Sequence, residues 1–156
     1  MATLKVKLLE DIILSNQDYS SKRTFEISSI SNIFKRIVTV AADDDATVLV
    51  FKSTTASADA ALDLQNVKYI RITNLDSSNS VNISLQLDSG EDNSAADLSI
   101  THLLEAGRSF LMGAPDEGVH SDDDSATIVT ALTDLESIIV DPGSNSGQVE
   151  VFVASS

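Results

Sequence analysis

The stretch from Val67 to Leu87, VKYIRITNLDSSNSVNISLQL, constrains the fold more than any other part of the chain. In its second half Val81, Ile83, Leu85 and Leu87 alternate with Asn82, Ser84, Gln86 and Asp88. A period of two marks a strand with one face buried and the other wet. In its first half Ile70 and Ile72, with the stem of Lys68, share one face, and Tyr69, Arg71 and Thr73 share the other. The polar turn Asp76-Ser77-Ser78-Asn79 separates the halves, and the whole reads as a β-hairpin at the centre of an all-β domain. Ile70, Ile72, Val81, Ile83, Leu85 and Leu87 are then the expected core.

The rest of the chain repeats the theme. Thr3 to Leu9 alternates Leu4, Val6 and Leu8 with Lys5 and Lys7, as in an edge strand blunted by lysines. Asp11 to Leu14 extends it past a kink, and Asn16 to Lys22 is turn-like. Arg23 to Ser28 reads as a short strand with Phe25 and Ile27 inward. Further strands are expected at Ile33–Val40, Thr47–Lys52, Leu98–Leu104, Arg108–Met112, Ser125–Leu132, Leu135–Val140 and Gln148–Ala154. Thr47–Lys52 is apolar nearly throughout, which suits a central strand. Small or acidic loops separate these runs, at Ala41–Asp45, Ser53–Ala61 (a flexible loop or one short helical turn ending near Leu64), Ser89–Asp97, Gly113–Asp124 and Asp141–Gly147. The expected fold class is all-β: a single domain over residues 1–156, a β-sandwich or jelly roll of about nine or ten short antiparallel strands. Residues 1–15 are expected to supply an N-terminal strand or arm. There is no internal repeat to build a propeller and no long periodic helix to build a doubly wound sheet.

Charge divides the chain. Up to Arg71 nine Lys and Arg balance nine Asp and Glu; beyond it Arg108 alone faces fifteen acids, so the whole net charge of −14 lies in the second half. That half reads as a solvated surface, with a face for a basic partner or cations as the sharper alternative. Direct nucleic-acid binding is not expected, because no basic patch exists to neutralise phosphates. With no cysteine, neither disulfides nor thiolate metal sites can form. No run approaches the length of a membrane span, and MATLKVKLLEDIILS lacks the apolar core of a secretory leader.

No constellation converges on a nameable reaction, so neither catalytic residues nor a cofactor are expected. Asp43-Asp44-Asp45 and Asp122-Asp123-Asp124 offer carboxylates to a hard cation, but the EF-hand order is not met and solvated loop charge is the stronger reading. His120 with Asp116, Glu117 and Asp122 has loose spacing for a cation, and His102 reads as a strand residue satisfied by neighbours. There is no G-x-S-x-G elbow and no glycine-rich phosphate loop. For sugar binding, Tyr69 is the one exposed-aromatic candidate, against the commoner reading of a half-buried sheet tyrosine.

The segments YIRITNLDSSNSVNISLQL, LLEAGRSFLM and LESIIVDPGSNSGQVEVFVASS resemble small virion structural proteins of tailed bacteriophages. The resemblance runs from Tyr69 to Ser156 and rests on Arg71, Ile72, Thr73, Asn74, Leu103, Ala106, Gly107, Ser109, Phe110, Ile139, Val140, Asp141 and Pro142. It implies a β-sandwich that assembles by contact, as in capsid decoration (cement) proteins, located on the virion surface and partnered by the major capsid protein or other virion proteins. A homo-oligomer, such as a trimer at a local three-fold, suits that setting. A tail, fibre or host-adhesion component is the alternative, and a free-standing carbohydrate-binding module comes third. The neutral N-terminal half is expected to make the contacts, through strand addition or docking, with Leu4, Lys5, Val6, Lys7, Arg23, Lys35 and Arg36 as the partner-contact candidates.

Overall fold

The computed structural model describes residues 1–52, 61–87, 98–119 and 132–156. Its strands are β1 (Ala2–Glu10), β2 (Ile13–Leu14), β3 (Gln17–Asp18), β4 (Ser21–Ile30), β5 (Asn32–Val40), β6 (Ala46–Lys52), β7 (Leu62–Asp63), β8 (Val67–Asn74), β9 (Val81–Leu87), β10 (Leu98–Leu104), β11 (Ser109–Gly113), β12 (Leu135–Asp141) and β13 (Gly147–Ser155). Two single-turn 3-10 helices, Leu64–Asn66 and Pro115–Glu117, are the only helical turns among the described residues.

Two sheets form the body, ordered β10-β9-β12-β6-β7 and β11-β8-β13-β5. From β5 onward the chain changes sheet at each step between the long strands, except from β9 to β10, which pair directly. That interleaved order is the double Greek key of a jelly roll, so the expected all-β sandwich of the jelly-roll kind is what forms. The core lies between the sheets. Ile70 and Ile72 from β8 and Val149 and Val151 from β13 meet Ile83 and Leu87 from β9 and Ile138 from β12. All are essentially inaccessible, and each contributes about 1.5–3 kcal/mol by burial. Alternation explains the choice: Asn82, Ser84 and Gln86 on β9, and Gln148, Glu150 and Phe152 on β13, point the other way.

The expected central hairpin is not a hairpin. β8 and β9 lie in opposite sheets and are joined by an arch over the end of the core. A tight two-residue hairpin needs residues at positive φ, and none of Asp76 to Asn79 has one. Its geometry instead comes from side chains. Asp76 accepts the backbone N–H groups of Ser78 and Asn79 at 2.8 and 2.9 Å. Asn74, fully buried, donates to the carbonyls of Asn79 and Leu104 and accepts from the N–H of Asp76. Both strands still bury the residues expected of them, since either arrangement puts the same face on the core.

The apolar run in β6 also has a different cause from the one expected. Ile138 faces Leu49 while Ile139 faces Thr47, so Val48 is an extra residue in a bulge. The bulge lets Val48 and Leu49 both be buried, while Val50 points outward and is exposed.

Residues 2–30 leave the sandwich as one long β-hairpin, the arm. β1 pairs only with β4, from Leu4 opposite Ile27 to Glu10 opposite Ser21, and β2 pairs with β3 in the same register. Ser15 and Asn16 both have positive φ and make the two-residue turn at the tip. The expected edge strand at Thr3–Leu9 is therefore half of a separate ribbon, and Arg23–Ser28 is part of a ten-residue strand. Phe25, expected inward, is 40% exposed. Ser29, at φ 64°, kinks the chain where the arm ends, and β5 begins the sandwich two residues after Ile30.

Candidate functional site

Alternation gives the arm two unlike faces. On one, Leu4, Val6, Leu8, Ile12 and Leu14 lie beside Ile27, Phe25 and Tyr19, with Arg23 opposite Leu8 and Glu10 opposite Ser21; on the other, Lys5, Lys7 and Lys22 lie with Thr24, Glu26 and Leu9. At the base, the apolar face packs on the body. Leu4, Val6 and Ile27 cover Tyr69, Phe152 and Ala154, which point out of the β11-β8-β13-β5 sheet. Tyr69 meets Phe152 edge-on, with ring centroids 6.2 Å apart. Past Val6 the body ends and the apolar face continues uncovered: Leu8 is 44% exposed, Phe25 40%, Ile12 51% and Leu14 60%. Ile13, Leu9 and Tyr19 add to the apolar tip. Large apolar side chains exposed together on one projecting element are a mark of a protein-binding site.

The partner-contact candidates fall in two places. Leu4 and Val6 are engaged in holding the arm to its own body. Lys5 pairs with Glu26 at 2.8 Å, while Lys7 stands opposite Thr24 and Arg23 opposite Leu8 along the shaft. Lys35 and Arg36 belong to β5. Lys35 pairs with Glu150 at 3.0 Å, and Arg36 donates to the Val48 carbonyl at 2.6 Å and lies 5.3 Å from the Phe34 ring centre. The sequence candidates omit the tip: Ile12, Leu14 and Tyr19 share a face only when the turn is centred on Ser15-Asn16. That pairing, with apolar residues falling opposite one another on both sides of the turn, was the signal available.

Below the arm's base the sheet carries a polar array. Glu150 accepts from both Lys35 and Arg71, and Arg71 lies 5.5 Å from the Phe152 ring centre. The Lys35 hydrogen bond is the main reason the Glu150 carboxyl is held below the usual range, with the charges of Lys35 and Arg71 adding to it against burial. Burial pushes the Tyr69 hydroxyl up, against the opposing charge of Arg71. Tyr69 is 4% exposed beneath the arm, so the sugar-stacking candidate is closed off.

The polar clefts lie elsewhere. One of about 490 Å³ is lined by Asp43, Asp44, Asp45 and Asp141 with Gly143 and Ser144. Among the described residues no group of three or more potential ligands is placed to hold a metal ion. His102 is exposed on β10, its ring 6.0 Å from that of Phe110. His120, Asp122 to Asp124, the Ser89–Asp97 loop, all of Ser53–Ala61 but its last residue, and all of the Ser125–Leu132 strand but its last residue lie outside the described residues.

No protein-family model matches the chain, and no curated protein matches it. Among solved structures, a chain of the disulfide-linked pili of Bacillus endospore appendages is similar over 83% of this chain and 91% of its own, at 12% identity and a TM-score of 0.39. A likeness at that level leaves function to be argued from this chain's own residues.

Proposed function

We propose that this protein is a non-enzymatic structural component of a tailed-bacteriophage virion, a capsid decoration protein that binds the major capsid shell and stabilises it. The observation that carries the assembly reading is the arm: an apolar face, anchored at its base, that runs uncovered past the edge of its own body. A soluble monomer has no use for such a projection, whereas a protein that joins a larger assembly does. The virion setting comes from the resemblance of Tyr69–Ser156 to phage structural proteins. The jelly-roll body suits that setting, since the fold is common among capsid domains. The acidic body, with no reactive thiol, suits a protein packed at high copy number.

Mass spectrometry of purified virions tests the proposal. A copy number near one per capsid subunit is expected; a handful per particle means a tail or fibre part, and absence from the particle overturns the virion reading. Charge reversal at Lys5 and Lys7 is expected to weaken particle binding, while neutralising Asp122, Asp123 and Asp124 leaves it unchanged. The reverse pattern removes the arm from the contact.

A further inference from the structure

We infer that the uncovered part of the arm docks on a second copy of this chain, along the outer face of its β11-β8-β13-β5 sheet. The inference rests on the arm being an assembly element, and names its partner. Two observations lead to the same occupant. The first is continuity. The arm's apolar face already binds this sheet face in its own chain, through Leu4, Val6 and Ile27 on Tyr69, Phe152 and Ala154. The same sheet face continues beyond the arm's base, where Ile37 is 57% exposed and Leu111 41%. Ile37 stands opposite Glu150 and Leu111 opposite Arg71, so both flank the polar array on the outer surface. One chain thus carries an uncovered apolar ligand and, on the two edge strands of the sheet that already seats the arm's base, two uncovered apolar residues.

The second observation is charge. The arm holds four basic and four acidic residues, so the entire net charge of −14 belongs to the body. Among the described residues no ion pair engages Lys7, Lys22 or Arg23 on the arm's shaft. Two acidic bodies repel one another, whereas an arm with no net charge approaches another copy's body without that repulsion.

Arm-to-sheet docking is a heterologous contact: the donor surface differs from the acceptor surface. Repeated, it closes into a ring or runs on as a filament. This makes it separable from contacts in which two arms pair with each other.

The test uses the full chain and two variants, each confirmed folded by circular dichroism. One disables the donor (Ile12→Asp with Leu14→Asp), and the other disables the acceptor (Ile37→Asp, with Leu111→Asp as a second form). In sedimentation experiments the natural chain is expected to associate as concentration rises, and each variant alone to associate about tenfold or more weakly. Mixing the two variants is expected to restore a species of two chains and no larger. In that pair the intact arm of one binds the intact sheet of the other, and both remaining surfaces are disabled. A natural chain that stays monomeric at high micromolar concentration overturns the inference, and leaves arm docking on a different virion protein to the particle-binding test. Association that survives the acceptor substitutions, or a mixture that stays monomeric, also overturns it.

Discussion

The body and the arm are written in the same alphabet and end in different states. β9 of the body and β1 of the arm both alternate apolar with polar residues. In β9 the apolar residues Val81, Ile83, Leu85 and Leu87 are all buried against the opposite sheet. In β1 only Leu4 and Val6 reach a surface, and Leu8 does not. Alternation states that one face of a strand wants cover; it does not state that the cover lies within the same molecule. A two-stranded ribbon is marginal alone in water, so the arm's outer half depends on what it touches.

Substitutions sharpen the contrast. Ile83→Asp places an unpaired charge in the core between the sheets and is expected to abolish the cooperative thermal transition, since the penalty is comparable to a domain's total stability of about 5–15 kcal/mol. A variant that kept its transition would show that β9 is not held against β8 and β13 as described.

Tyr69→Ala removes the ring on which the arm's base sits. By analogy with other large-to-small changes the loss is about 3 kcal/mol by denaturant titration. It should also raise hydrogen exchange in β1 and β4 more than in β9 and β12. Uniform loosening of body and arm would mean that Tyr69 belongs to the core rather than to the joint.

Acid should act on the arch and on the sheet's outer face. Asp76 and Glu150 both have carboxyls held below their ordinary range, by backbone N–H groups of Asn79 and Ser78 and by Lys35 respectively. Such groups stabilise the fold fully above the unfolded-state pKa and lose that contribution as pH falls through the folded-state value. Stability is therefore expected to decline below about pH 4, and Glu150→Gln to make the decline shallower. An unchanged slope would remove Glu150 from the linkage. The smallest effect is expected at the tip: Leu14→Asp should move stability by about 0.5 kcal/mol or less in dilute solution, because the side chain is mostly exposed there.

Much of the body was legible from residue order. The period of two in Val81–Leu87 and Gln148–Ala154 identified their inward faces, and short strands between polar turns identified the sandwich. Which strands pair was less legible. Asn74 and Asp76 satisfy the backbone of an arch, but the same polar residues also suit a hairpin turn. The distinction lies in Leu104, a residue distant in sequence, whose carbonyl accepts from Asn74. The bulge at Val48 was hidden because its cause is the register with β12. The arm was half seen: Lys5 and Lys7 marked an exposed strand. Its partner β4 was less legible, because turn-like composition runs on from Asn16 to Lys22, past the Ser15-Asn16 turn and across β3 into the start of β4.

Hydrogen exchange on the full chain, measured dilute and concentrated, tests the division of labour most directly. In dilute solution the arm amides from Leu8 to Lys22 should exchange far faster than those of β8, β9, β12 and β13, which open only with the whole body. Raising the concentration should slow exchange in the arm, and leave the core strands as they were. An arm as protected as the body at high dilution, or one unaffected by concentration, would contradict a self-sufficient jelly roll carrying an arm whose cover comes from a neighbour.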